Sequence, residues 1–213
     1  MIKEIYLLRH GQTDFNKQKI IQGCGVDADL NRVGQQQAQS FFEYYQHIPF
    51  DHIYTSKLKR SIQSVQAFIE KGIPVKQLEG LNEIDWGVFE GKNLQKLANR
   101  HLFFQTLHAW ENGDFHAQIP GGESPVEVAN RQRAALKIIR QNQDAERILI
   151  CMHGRAMRIF LCVILGLGFG EMNSFVHQNL GLYLLKSNGN GFELQYRNDT
   201  RHFNGHEKLL ALP

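Results

Sequence analysis

Ile5-Tyr6-Leu7-Leu8-Arg9-His10-Gly11 and Ile148-Leu149-Ile150-Cys151-Met152-His153-Gly154 follow one pattern, and that pattern decides the fold. Each is a short apolar run of strand length that ends in a His-Gly pair. Around them strands alternate with helices. A helix from about Gly34 carries Ala38, Phe41, Phe42 and Tyr45 on one face. Residues 51–56 read as a strand, and Leu58, Ile62, Val65 and Ile69 continue as one amphipathic helix. Ser124-Pro125-Val126-Glu127 supplies an N-cap, a proline at the first helical position and a glutamate at the third, which starts a helix reaching about Asn142. Arg147 to Met152 is a strand and Ala156 to Leu165 a helix. Leu182 to Lys186 and Phe192 to Tyr196 flank Asn188-Gly189, a hairpin signal. The expected architecture is α/β: a mostly parallel central sheet flanked by helices on both faces, with an antiparallel element near the end.

Residues 92–118 break the alternation. Phe103, Phe104, Leu107 and Trp110 stand there among polar residues with no strand signal, which predicts a helical excursion roofing the active site. With no repeat and no linker of Pro, Gly or Ser, the 213 residues read as a single domain over 1–213, with 92–118 as a lid insertion. The composition is ordinary for a globular protein, 42% hydrophobic and 21% charged, so a core is available. A net charge of +3 without a block of like charges argues against nucleic-acid and membrane partners. The first residues reach charge too soon for a secretory signal, and the apolar stretch 159–169 is about half the length of a membrane span. A cytoplasmic location is expected. Cys24, Cys151 and Cys162 lack redox or zinc spacing and read as reduced thiols.

In a parallel sheet, ligands bind outside the carboxyl ends of the strands, so the two His-Gly pairs point to convergent imidazoles. A glycine after each histidine leaves room for a bulky tetrahedral group, and phosphate is the obvious one. Phosphate calls for arginine, whose planar fork matches its oxygens. Arg9 adjoins the first histidine, and Arg60 follows the strand ending near Ser56. Glu83, in Leu81-Asn82-Glu83-Ile84-Asp85-Trp86-Gly87, is a candidate acid in an apolar context that raises a carboxyl pKa. The pairs His202/His206 and His101/His108 lack the companion ligands of a zinc site, so no metal and no cofactor are expected.

Taken in order, these pieces resemble the histidine phosphatase superfamily, phosphoglycerate mutase-like branch, over residues 2 to about 203. The resemblance rests on Leu8-Arg9-His10-Gly11-Gln12-Thr13 with Asn16, Gln22-Gly23, Asp29-Leu30-Asn31, residues 54–60, Leu81-Asn82-Glu83-Ile84, residues 120–124, Met152-His153-Gly154 and residues 198–202. It implies that His10 is the nucleophile, that Arg9, Arg60, His153 and Gly154 form the phosphate pocket, that Glu83 is the proton donor, and that Asn16 and Gln22 are auxiliary contacts. Two guanidiniums and an imidazolium would do the electrostatic work of a metal. Thr13 disfavours the acid phosphatase branch, which carries arginine there. Ile84-Asp85-Trp86-Gly87 departs from the mutases, and only Arg100 stands where they carry paired arginines. The expectation is a phosphatase acting on a small phosphorylated metabolite. The alternatives are a cofactor-dependent phosphoglycerate mutase and a catalytically silent binder of phosphorylated ligands. Oligomeric state is not readable from the chain.

Overall fold

Side chains alternate along Glu4–Arg9 (β1) so that both faces of this strand are apolar. In the computed structural model, which describes residues 2–205, Ile5 and Leu7 enter one apolar cluster while Tyr6 and Leu8 enter another. Such a strand needs cover on both sides, and helices provide it. Along the chain follow α1 (Asp14–Lys17), α2 (Arg32–Tyr45), β2 (His52–Thr55), α3 (Lys59–Gln63), α4 (Gln66–Glu70) and β3 (Val75–Gln77). Then come α5 (Arg100–Glu111), α6 (Pro125–Arg140), β4 (Arg147–Met152), α7 (Gly154–Leu165), β5 (Leu182–Ser187) and β6 (Phe192–Asp199). The six strands form one sheet in the order β3-β2-β4-β1-β5-β6. The first four in that order run parallel, and β5 and β6 add antiparallel to one edge. This is the sheet expected from the sequence. α6 and α7 pack on the face of Ile5 and Ile148, α2 and α4 on the face of Leu8 and Leu149.

Caps set the helix boundaries. Asn31 Oδ1 accepts the Gly34 N–H at 2.9 Å, so α2 begins two residues before the expected Gly34. At α6 the capping box forms as anticipated, with Glu127 Oε2 accepting the Ser124 N–H at 2.8 Å, although the helix closes at Arg140 rather than Asn142. The single helix expected over Leu58 to Ile69 is instead two short ones. The Ser64 hydroxyl donates to the Arg60 carbonyl at 2.6 Å and accepts the Gly11 N–H at 2.8 Å, and the next residue, Val65, leaves helical geometry at φ −122°. Strand β3 carried no sequence signal because its three residues are all exposed on the edge. Among the described residues no helix is long and apolar enough to cross a membrane.

Candidate active site

β1, β2 and β4 end on the same edge of the sheet, and the residues that follow them, His10, Ser56 and His153, therefore meet. His10 is 3% exposed. Its Nδ1 lies 2.7 Å from the Gly11 carbonyl, which can only accept, so the proton is on Nδ1 and Nε2 carries a lone pair. Burial, then Arg60 and Arg9, push its pKa well below the ordinary 6.5. A neutral imidazole with a free Nε2 results. The backbone of His10 is held by its N–H to Met152 O at 3.0 Å and by Asn179 Nδ2 donating to its carbonyl at 2.8 Å.

His153 is fully buried, with its ring centroid 5.1 Å from that of His10. Arg60 Nε donates to its Nδ1 at 3.2 Å, which leaves the proton on Nε2, donated to Ser56 Oγ at 2.7 Å. Burial and Arg60 push His153 well below its ordinary value too. The imidazolium expected from the sequence is therefore a neutral ring, because burial disfavours its charge and Arg60 Nε already occupies Nδ1. Arg60 also donates to Gly23 O at 3.1 Å and to Val26 O at 2.5 Å, which pins the loop after α1.

Glu83 sits against the start of α7. Its Oε1 accepts the Ile84 and Ala156 N–H groups at 2.9 and 2.7 Å, and its Oε2 accepts the Arg155 N–H at 3.1 Å. The apolar setting inferred from Ile84 and Trp86 is thus replaced at the carboxyl by three backbone donors. Oε2, with one donor, keeps capacity toward the open space over Gly154. A Cβ on Gly154 would stand 3.2 Å from His177 Nε2, 3.5 Å from Glu83 Oε2 and 3.6 Å from Arg9 Nε, so this glycine keeps the meeting point of three functional groups clear. Gly11 serves a different purpose from the one inferred: a Cβ there would meet the Gly34 carbonyl at 2.8 Å, so its bareness lets α2 pack against the motif loop.

A cavity of about 380 Å³ opens over these groups. Arg9, His10, Asn16, Gln22, Glu83 and Gly154 line it, while Arg60 and His153 stand behind His10. Among the described residues nothing partners the buried Arg9 Nε, and burial lowers the Arg9 pKa to about 10, still charged at neutral pH. Gln22 Nε2 donates to Thr13 Oγ1 at 2.7 Å and leaves Oε1 buried with no partner among the described residues. Asn16 Oδ1 accepts from the Thr13 N–H at 3.1 Å and from Asn179 Nδ2 at 3.4 Å.

The wall also holds Phe103, from the excursion expected to roof the site, and Trp86, from the Glu83 motif, together with residues the sequence did not single out: Ile21, Arg155, Arg158 and His177. The Phe103 and Trp86 rings meet at a tilt of 41°, 5.0 Å between centroids, Trp110 is buried beside Trp86, and Phe104 points outward at 54% exposure. Of the zinc pairs considered, His202 is buried against Phe41 and Phe203, and His206 lies outside the described residues. His108 Nδ1 pairs with Asn112.

The family model of the histidine phosphatase superfamily (branch 1) matches residues 5–200. The chain belongs to that family. This histidine phosphatase is 32% identical over 165 residues to the Probable phosphoglycerate mutase GpmB of Salmonella choleraesuis, which covers 77% of this chain and 75% of that one. Its fold matches the alpha-ribazole phosphatase of Shigella flexneri with a TM-score of 0.81, at 22% identity over 92% of this chain and 96% of that chain. It also matches the phosphoserine phosphatase of Entamoeba histolytica, solved in complex with 3-phosphoglyceric acid, with a TM-score of 0.79 at 26% identity over 93% and 98%.

Proposed function

We propose that this histidine phosphatase hydrolyses a small phosphomonoester in the cytoplasm through a phosphohistidine on His10. One observation carries the reading: a neutral His10 offers its unprotonated Nε2 to a cavity lined by a carboxyl group and by an arginine Nε that has no partner among the described residues. In the first step Nε2 attacks phosphorus, the ester P–O bond breaks, and Glu83 in its protonated form hands a proton from Oε2 to the leaving oxygen. Arg9 holds the charge on the equatorial oxygens, backed by Arg60 and His153. Asn16 and Gln22 contribute donors. The Gln22 amide turns over so that Nε2 faces the phosphate and Oε1 accepts from Thr13, which relieves the buried orphan acceptor. In the second step Glu83, now a carboxylate, takes a proton from water as its oxygen attacks phosphorus, which releases phosphate and neutral His10. Guanidiniums supply the positive charge throughout, and no resident cofactor enters the scheme. Residues 92–118 act as the lid of one domain, with Phe103 as its contact to the cavity.

Rapid quench with a phosphorus-labelled substrate tests this reading. The expected result is an acid-labile, base-stable phosphoprotein in the wild type and none in His10→Ala, whose turnover is lost. Label that never reaches His10 during turnover overturns it. The 32% identity to a probable mutase supports a second reading, in which the phosphoryl group returns to a retained intermediate. Activity that depends on a bisphosphorylated priming compound would select that reading, whereas multiple turnover without one selects the hydrolase.

A further inference from the structure

Three polar atoms converge over Gly154: His177 Nε2, Glu83 Oε2 and Arg9 Nε lie 3.2, 3.5 and 3.6 Å from the point that a Cβ there would occupy. Glu83 and Arg9 act on the leaving oxygen and the phosphoryl group, and the imidazole is left without a task. Its Nδ1 lies 3.3 Å from the Phe175 carbonyl, which can only accept, so the proton is on Nδ1 and Nε2 carries a lone pair. Burial, then Arg9, push the ring well below 6.5 and keep it neutral. Among the described residues no hydrogen bond engages that lone pair, although the ring belongs to the cavity wall. The loop that carries it is fixed on both sides. The Tyr183 hydroxyl donates to the Val176 carbonyl, the Gln178 N–H donates to Asn198 Oδ1 at 2.8 Å, and Asn179 Nδ2 donates to the His10 carbonyl at 2.8 Å.

A group that meets this lone pair must bring a hydrogen. A phosphate dianion brings only acceptor oxygens, so it does not settle against Nε2. The rest of the wall offers mostly donors: the guanidiniums of Arg9, Arg155 and Arg158 give it a surplus of positive charge, and Glu83 is the one carboxylate among its side chains. Asn16 Oδ1 is taken by the Thr13 N–H and by Asn179, and Gln22 Oε1 turns to Thr13 when phosphate binds. Once phosphorus occupies His10 Nε2, two side-chain acceptors remain on the wall, Glu83 Oε2 and His177 Nε2. Water carries two O–H groups. A pair of acceptors with a donor beside them, all facing one point, matches its hydrogen-bonding pattern.

We propose that His177 orients the water of the second step: one O–H points to Glu83 Oε2 and the other to His177 Nε2, which turns a lone pair of the oxygen toward phosphorus. The assignment rests on the phosphohistidine reading above and deepens it. As the oxygen attacks, the P–N bond to His10 breaks and its electron pair returns to Nε2 of that ring. Glu83 takes one proton, and the other stays on the oxygen, held by His177, so that hydrogen phosphate leaves beside a neutral His10. An alcohol has a single O–H, which Glu83 alone can receive. His177 therefore selects water over alcohols as the acceptor of the phosphoryl group.

Quench-flow with phosphorus-labelled p-nitrophenyl phosphate, with and without methanol as a competing acceptor, tests this. In His177→Leu, hydrolysis of the phosphohistidine slows about ten- to hundredfold, the effect of a misplaced reacting group, while its formation changes far less. Labelled enzyme then accumulates, and the ratio of methyl phosphate to inorganic phosphate rises by about the same factor. His177→Gln, whose side-chain oxygen supplies an acceptor in place of Nε2, restores most of the hydrolysis. The product ratio is internally controlled, since both products come from one intermediate and a merely structural loss slows both acceptors alike. Formation and hydrolysis slowed equally with an unchanged product ratio, or wild-type hydrolysis in His177→Leu, overturns the water-orienting role and leaves the His10 phosphoenzyme standing. If no label reaches His10 in the wild type, the parent reading falls and this one falls with it.

Discussion

A carboxyl group that protonates a leaving oxygen matters in proportion to the basicity of that oxygen. Glu83→Gln should therefore slow phosphorylation of His10 far more with an alkyl phosphate than with an aryl phosphate, by about a hundredfold or more against a few-fold. Pre-steady-state quench isolates that step, and equal losses would reassign Glu83 to electrostatic positioning. For His10 the governing quantity is its protonation. Because burial and two arginines hold its pKa well below 6.5, the acid limb of kcat/KM should lie below pH 6.5. A limb at or above 6.5 would mean that the ring is charged in the resting enzyme. His10, His153, Arg9 and Glu83 were legible in the sequence because each belongs to a short pattern at a strand end or in a motif. Arg155 was not. The helix after His153-Gly154 read as starting at Ala156, whereas it starts at Gly154, which puts Arg155 and Arg158 one turn apart on the cavity side. His177 and Asn179 gave no signal at all, since their loop is shaped by contacts with residues far away in the chain, such as the bond from Asn179 to His10, 169 positions earlier.

Elements matter here for what they hold in place. Arg131, on α6, donates to the carbonyls of Gly80, Asn82 and Glu83 at 3.0, 2.9 and 2.9 Å and is paired with Glu123 at 2.8 Å. It staples the loop that carries Glu83. Arg131→Ala should cost about 2 kcal/mol in urea unfolding, since it frees several partly buried carbonyls at once. It should also lower kcat on alkyl phosphates more than on aryl ones, as Glu83 loses its aim. The cap at the head of the same helix makes a contrasting case. Ser124→Ala removes a capping box that takes no part in the cavity wall and should cost about 1 kcal/mol with the leaving-group dependence of the rate unchanged. The box was readable because Ser, Pro and Glu meet a local requirement of the backbone. The break between α3 and α4 was not, because the Ser64 bond to Gly11 that accompanies it spans 53 positions.

For the molecule as a whole, buried neutral rings set the response to pH. His10, His153 and His177 are held well below 6.5, and His202 is pushed down to about 4. In the unfolded chain these rings titrate near their ordinary value, so below pH 6.5 the unfolded state binds more protons than the folded one. Stability is thus complete above pH 6.5 and falls as the pH is lowered, by up to about 1.4 kcal/mol per pH unit for each ring. Urea midpoints at pH 7 and pH 5 measure it, and identical midpoints would contradict the buried neutral state. The surplus of positive charge acts in the opposite sense. Vanadate or phosphate at about a hundred times its dissociation constant should stabilise the fold by about 2.7 kcal/mol, and chelators should leave activity unchanged. The strand order has a further consequence, for how the protein is made. Of the six described strands β1 leaves the ribosome before the others, yet its neighbours on either side are β4 and β5, so both of its edges and both of its apolar faces wait for chain made after it. At about 5–20 residues per second, the interval between the emergence of His10 and that of Asn179 is on the order of ten to thirty seconds. Until β4 emerges, both edges of the strand that bears the nucleophile stay open, which makes β1 the segment for a chaperone to shield and the place where slowed translation would first show as aggregation.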